Sequence, residues 1–221
     1  MTDFAAARQN MVQSQVRTSD VTEPRLTAAM LEVPRERFVP ATLADLAYLD
    51  RDLPVAIDRG AQRFLLKPVV LAKLLQIAGV ESTDRVLDVG CATGYGAALL
   101  SNLAATVVAL EEEPELARHA EHNLAGLGLT NVTVVSGPMV EGWPSQGPYD
   151  VIVVEGRCEA APHRLLAQLA DGGRLVCVQG QARAARGIVY RCAQGDASGM
   201  PQFDAAAPLL PGFAEPKAFV F

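Results

Sequence analysis

The run VLDVGCATGYG, residues 86–96, decides the reading of this chain. An apolar segment from Arg85 to Val89 predicts a buried strand that carries Asp88 near its end. Gly90 and Gly94 then bracket a tight turn, and a helix is expected from about Gly94 to 104. Glycine in such a turn tolerates positive φ and lets a ligand come close to the backbone. Free N–H groups at the start of a helix suit an anionic group.

Working outward, the next apolar run is Thr106–Glu111, a strand that ends in an acid. Glu111 lies 21 residues after Gly90. A doubly wound nucleotide-binding fold places the carboxylate for the ribose hydroxyls at about this distance. Glu112 stands next to it, and Glu113 reads as a first-turn acid of the helix opened by Pro114. Further segments continue the alternation: helix 114–126, strand 132–135, strand 149–154, helix 162–170 and strand 174–178. The runs VVAL and VIVV are apolar throughout, as expected of parallel strands covered on both faces. Gly187–Cys192 and Ala218–Phe221 are expected to be two late strands.

Before residue 80 the pattern is helical with irregular stretches. Phe4, Ala7, Met11 and Gln15 recur at helical spacing. Asp20 with Glu23 has the form of a capping box ahead of Pro24. Leu26, Ala29, Met30 and Val33 form a stripe that stops before Pro34. Pro40, Pro54 and Gly60 punctuate an irregular stretch, and a third helix runs from about Pro68 to Gly79. The expected architecture is α/β, with an N-terminal helical extension over 1–80 and a ligand-binding core over 81–221.

Which ligand follows from the loop. A dinucleotide site requires GxGxxG, but here the glycines are Gly90, Gly94 and Gly96, and Ala92 and Tyr95 fill the fingerprint positions. An acid two residues before the first glycine suits an ammonium group better than a diphosphate. These features favour S-adenosyl-L-methionine over a nicotinamide dinucleotide.

Composition narrows the class. Half of the 221 residues are hydrophobic, a fifth are charged, and the net charge is −6. A chain of this kind buries a core, and its acidic balance argues against nucleic acid as a partner. The sequence has neither a long apolar span nor a leader-like N-terminus, so neither membrane nor export is expected. Cys91, Cys158, Cys177 and Cys192 form no CxxC pair, which fits reduced thiols in a cytoplasmic setting. His119 and His122 share a helix face without a third ligand, so no metal is expected. His163 reads as a surface residue, Trp143 as packing, and Cys91 as a small filler of the loop.

With these residues in place, the chain resembles the protein-L-isoaspartate O-methyltransferase family of class I methyltransferases. The resemblance is carried by Met11-Val12 with Gln15 and Arg17, AMLEVPRERFVP (29–40), AYLDRDLPV (47–55), the 86–100 segment, 114–137, YDVIVVEG (149–156) and QLADGGRLVCVQG (168–180). It implies a doubly wound, mostly parallel seven-stranded sheet of the Rossmann-like methyltransferase type. It also implies methyl transfer from S-adenosyl-L-methionine to a carboxylate of an isoaspartyl-bearing protein or peptide. By the same resemblance Asp88, Gly90 and Gly94 line the methionine moiety, with Cys91, Ala92 and Thr93 contacting the ligand. Glu111 holds the ribose, with Glu112 beside it.

Three positions depart from the family pattern. Leu66 occupies the place of the active-site serine, so no catalytic side chain is carried over. Gly137, Pro138 and Met139 stand where the family has Gly-Asp-Gly, at the adenine. Glu155-Gly156-Arg157-Cys158 replaces a small, neutral turn. They leave an alternative: a family member that has lost isoaspartyl repair and acts on another substrate, or as a non-catalytic cofactor-binding or interaction module.

Overall fold

The computed structural model describes residues 2–58, 61–181 and 184–215. The seven-stranded sheet is built from β3 (Arg85–Val89), β4 (Thr106–Glu111), β5 (Val132–Ser136), β6 (Tyr149–Cys158), β7 (Leu169–Gln179), β8 (Arg186–Ala193) and β9 (Asp196–Asp204). Its order is β5-β4-β3-β6-β7-β8-β9. The first five strands are parallel, and β8 and β9 are added antiparallel. The chain leaves β3 toward β4 and β5, then returns to the opposite side of β3 as β6. This reversal makes β3/β6 the switch point, and the carboxyl ends of these strands open the crevice where such folds take ligands.

Strand parity divides the core in two. Val86, Val107, Ala109, Val151 and Val153 face one side, where they join residues of the N-terminal segments and helices. Leu87, Val89, Val108, Leu110, Ile152 and Val154 face the other. The first side is covered by α1 (Phe4–Met11), α2 (Pro24–Glu32), α3 (Pro68–Ala78), α4 (Tyr95–Ser101) and α5 (Pro114–Ala125). The second carries the short α6 (His163–Leu166) and irregular segments around Met139, Trp143, Leu210 and Phe213. The short α6 replaces the longer helix expected over 162–170. The chain from Leu169 onward is instead drawn into β7, where Leu169 pairs with Tyr149.

Local chemistry accounts for most boundaries. Pro68 and Pro114 occupy first turns, where a missing N–H costs nothing, and Gly79 closes α3 in the left-handed region at φ 56. Arg174 of β7 fastens that end, donating to the Ala78 carbonyl at 2.6 Å and pairing with Asp84 at 2.7 Å. At α2 the capping residue is Glu23, whose carboxylate accepts from Leu26 N–H. Asp20 instead closes the preceding turn at φ 65, so the expected Asp20–Glu23 box is corrected to a single cap.

Two elements were not expected. Residues of the irregular stretch pair as a hairpin, β1 (Leu53–Asp58) with β2 (Ala61–Leu65). The seventh sheet strand is β9, largely exposed and rich in small and polar residues. The strand expected over 218–221 lies outside the described residues. No helix among the described residues is long and apolar enough to cross a membrane.

Candidate active site

Asp88, Glu111 and Glu155 share the parity of Val86, Ala109 and Val153, so three acids from β3, β4 and β6 reach the same face at the mouth of the switch point. All three are buried. Burial of charge is costly unless it is paired, and each acid solves this differently.

Glu111 is saturated. Its Oε2 accepts from Ala92 N–H at 2.8 Å and from the Arg63 guanidinium at 2.7 Å. Its Oε1 accepts from the N–H groups of Glu112 and Glu113 at 3.0 and 3.1 Å. Arg63 comes from β2, and both side chains of this ion pair are almost wholly withdrawn from solvent. The same guanidinium donates to the Gly90 carbonyl at 3.1 Å and meets the Met139 sulfur at 3.1 Å. One arginine therefore touches the glycine loop, the acid after β4 and the segment after β5.

Asp88 is the opposite case. Among the described residues neither of its oxygens meets a donor, and neither does Glu155 Oε1. Burial, eased by the neighbouring Glu155 carboxyl and reinforced by the charge of Glu111, pushes Asp88 up to about 7. Burial first, then the charge of Asp88 and their hydrogen bond, push Glu155 well above the carboxylate range, against the pull of Arg35 and Arg63. Glu155 is the one of the two that the other's presence raises, so it keeps its proton the longer. Its carboxyl fills the space beside Gly96: a Cβ there would stand 1.6 Å from Oε1.

The loop itself is a strained turn. Gly90, Ala92 and Gly94 take φ of 79°, 51° and 94°. Ala92 is held there, despite its Cβ, by the N–H bond to Glu111. Thr93 donates its hydroxyl to the Phe38 carbonyl at 2.5 Å, and Asn123 donates to the Thr93 carbonyl. Cys91 is buried, and burial raises its thiol above the usual range, in keeping with an inert filler.

Leu66 is in the core, and its carbonyl accepts from Arg35 at 2.6 Å. Arg35, also buried, spans to the Ala47 carbonyl at 2.8 Å and lies over the Tyr95 ring at 4.6 Å. Met139 is buried against Arg63, whereas Pro138 and Glu112 are exposed at the edge. Leu210, carried in by the chain that follows β9, packs over Gly90 and Gly156. With Gln62, Arg63, Phe64, Leu66 and Glu155 it encloses a cavity of about 10 Å³, the room of a single water at most.

The structure thus gathers Asp88, Gly90, Cys91, Ala92, Thr93, Gly94, Glu111 and Met139 in one place and leaves Glu112 and Pro138 at its rim. Sequence reasoning missed Arg63 and gave Glu155 no role. Glu155 had a signal, since it extends the VIVV strand with the parity of Asp88. Arg63 had none, since it is one of several charges between Asp58 and Lys67. The comparisons bear on this geometry. A family model for protein-L-isoaspartate(D-aspartate) O-methyltransferase matches residues 6–198.

The chain belongs to that family.

A relative in Methanoculleus marisnigri named protein-L-isoaspartate O-methyltransferase is 41% identical over 173 residues, covering 78% of this chain and 77% of the relative. One from Rhodopseudomonas palustris is 39% identical over 188 residues, 85% of this chain and 75% of the relative. Among solved structures, a protein-L-isoaspartate O-methyltransferase superposes with a TM-score of 0.80 at 26% identity, over 93% of this chain and 66% of that one. A Plasmodium falciparum protein given the same family name, solved in complex with S-adenosyl-L-homocysteine, gives 0.74 at 19% identity over 95% and 99% of the two chains. At that identity the likeness speaks for the fold. The sheet order and the glycine loop after β3 sit on the same frame as those structures.

Proposed function

We propose that the protein transfers a methyl group from S-adenosyl-L-methionine to the carboxylate of isoaspartyl residues in proteins or peptides. The observation that carries this reading is Asp88: a buried carboxyl at the switch point, beside the glycine loop, with two oxygens that meet no donor among the described residues. A ligand ammonium is the group such a carboxyl lacks. Glu111, at the end of the neighbouring strand, is the acceptor for ribose hydroxyls once Arg63 leaves it, and Met139 with Pro138 borders the adenine side. The donor set therefore fits the cofactor, with one internal ion pair to be exchanged.

When bound, the cofactor supplies a methyl carried on a sulfonium. What remains for the protein is positioning. An acceptor carboxylate is already an anion at neutral pH, so no base has to remove a proton. The apolar walls formed by Phe64, Leu66 and Leu210 keep water from competing. Holding nucleophile and methyl in line supplies most of the rate. Asp88 orients the cofactor through its ammonium, and the proton kept on Glu155 prevents a second negative charge from repelling the acceptor.

The test is transfer of labelled methyl to an isoaspartyl peptide, with the aspartyl peptide as control. A base-labile methyl ester on the isoaspartyl peptide alone is expected. Cofactor binding without ester would move the activity to another acceptor, and failure to bind the cofactor would overturn the reading entirely.

A further inference from the structure

Arg63 does something the family pattern does not require. Its guanidinium occupies the carboxylate that the ribose must use, yet it sits on β2, three residues before Leu66, in the wall of the small cavity it shares with Leu66, Glu155 and Leu210. Leu66 offers no donor from its side chain, and neither do Phe64 and Leu210 beside it. A carboxylate entering there needs a cation or several N–H groups to offset its desolvation. Guanidinium is suited to this, since it presents a fixed fork of donors that matches both oxygens of a carboxylate.

We propose that Arg63 serves two carboxylates in turn, pairing with Glu111 in the ligand-free protein and with the acceptor's carboxylate once a nucleoside has taken Glu111. This rests on the proposed methyl transfer and names the residue that anchors its acceptor.

The geometry supports an exchange rather than a fixed structural pair. Glu111 does not depend on Arg63 for its position: three backbone N–H groups, from Ala92, Glu112 and Glu113, hold it at 2.8–3.1 Å. Arg63 in turn spends its remaining bonds on weak or replaceable acceptors, the Gly90 carbonyl and the Met139 sulfur. Ribose hydroxyls can replace the guanidinium on Glu111. The released cation is then buried beside Leu66 without a counter-ion, and an acceptor carboxylate supplies one. Binding is therefore ordered, with the nucleoside first. Arg63 thus has a carboxylate partner before and after the exchange, while Glu111 keeps its three backbone N–H groups.

The experiment uses S-adenosyl-L-homocysteine and an isoaspartyl peptide as probes, with the full chain and Arg63→Met, which keeps bulk but neither charge nor donors. Calorimetry should give about tenfold tighter homocysteine-ligand binding for Arg63→Met, because no internal ion pair has to be broken. Fluorescence anisotropy should show peptide binding to the loaded parent but not to the unloaded one, and about tenfold weaker binding to the loaded variant. The opposite signs are the signature, since a merely structural arginine would weaken both. Loss of ligand affinity in the variant, or unchanged peptide binding, overturns the proposal while leaving methyl transfer by the parent intact. If neither protein binds the ligand, both readings fail.

A measurement on the parent stands in should Arg63→Met not fold. Peptide anisotropy on the parent alone must then show binding that requires the bound S-adenosyl-L-homocysteine. Equal peptide affinity with and without it would overturn the exchange.

Discussion

Replacing Glu155 by glutamine should make this protein more stable at neutral pH and leave it nearly unchanged in acid. An unfolded glutamate loses its proton near 4.5, whereas folded Glu155 is pushed well above that by burial and by Asp88. Between the two values the native state holds one proton more than the unfolded state. Stability must then fall as pH rises, at about 1.4 kcal/mol per pH unit for each such proton, and the contribution is fully present only below about pH 4. The loss continues until the pH passes the raised folded value, and it draws on the roughly 5–15 kcal/mol that holds a domain together. Glutamine keeps the shape beside Gly96 and cannot ionise. Urea unfolding of both proteins at pH 4 and pH 7 gives the answer as a difference of differences. The contributions of carboxylates away from this pair, such as Glu159, which is lowered by the Glu215 N–H, cancel in it. Equal offsets between parent and Glu155→Gln at the two pH values would refute the assignment of the proton to Glu155.

Other expectations follow from single contacts. Gly96→Ala places a Cβ on the Glu155 carboxyl and should cost about 3 kcal/mol by chemical denaturation; Glu155→Ala in the same chain should recover most of this, and no recovery would mean that the clash lies elsewhere. Glu111→Gln strands Arg63 in the core, so a loss of about 3–5 kcal/mol is expected in the same assay. Arg174→Met removes the Asp84 ion pair and the donor to the Ala78 carbonyl, which should lower stability by about 2 kcal/mol and speed amide exchange at the end of α3 first.

Much of this molecule was legible in one dimension, and the reasons are local. The strands β4 and β6 carry continuous apolar runs of the kind buried parallel strands require, and the alternation of strand and helical segments leaves few topologies. Asp88, Gly90, Gly94 and Glu111 stand at fixed distances along the chain because a strand, a tight turn and a helix have fixed lengths. Prolines in first turns and Gly79 at a helix end mark boundaries by their own backbone geometry. Family membership followed from the same short stretches, together with the Val33–Pro40 segment.

Only tertiary structure decided what those residues face. The β1–β2 hairpin was invisible because Pro54 and Gly60 read as breaks, and its pairing joins segments that show no clear alternation. With it went Arg63, whose partners Gly90, Glu111 and Met139 lie 27, 48 and 76 residues away. Charge neutralisation inside a core depends on distance in space, and spacing along the chain carries no trace of it. The Asp88–Glu155 pair follows the same logic: each acid was legible at a strand end, but they come close only because β6 returns beside β3. β9 escaped notice since an exposed antiparallel strand needs no apolar run; its place is set by the free edge of β8. The sequence by itself thus determined the frame and the acids at its mouth, through local backbone preference and burial pattern. Folding decided how those acids are neutralised, because that depends on which charges are brought within a few ångströms of one another.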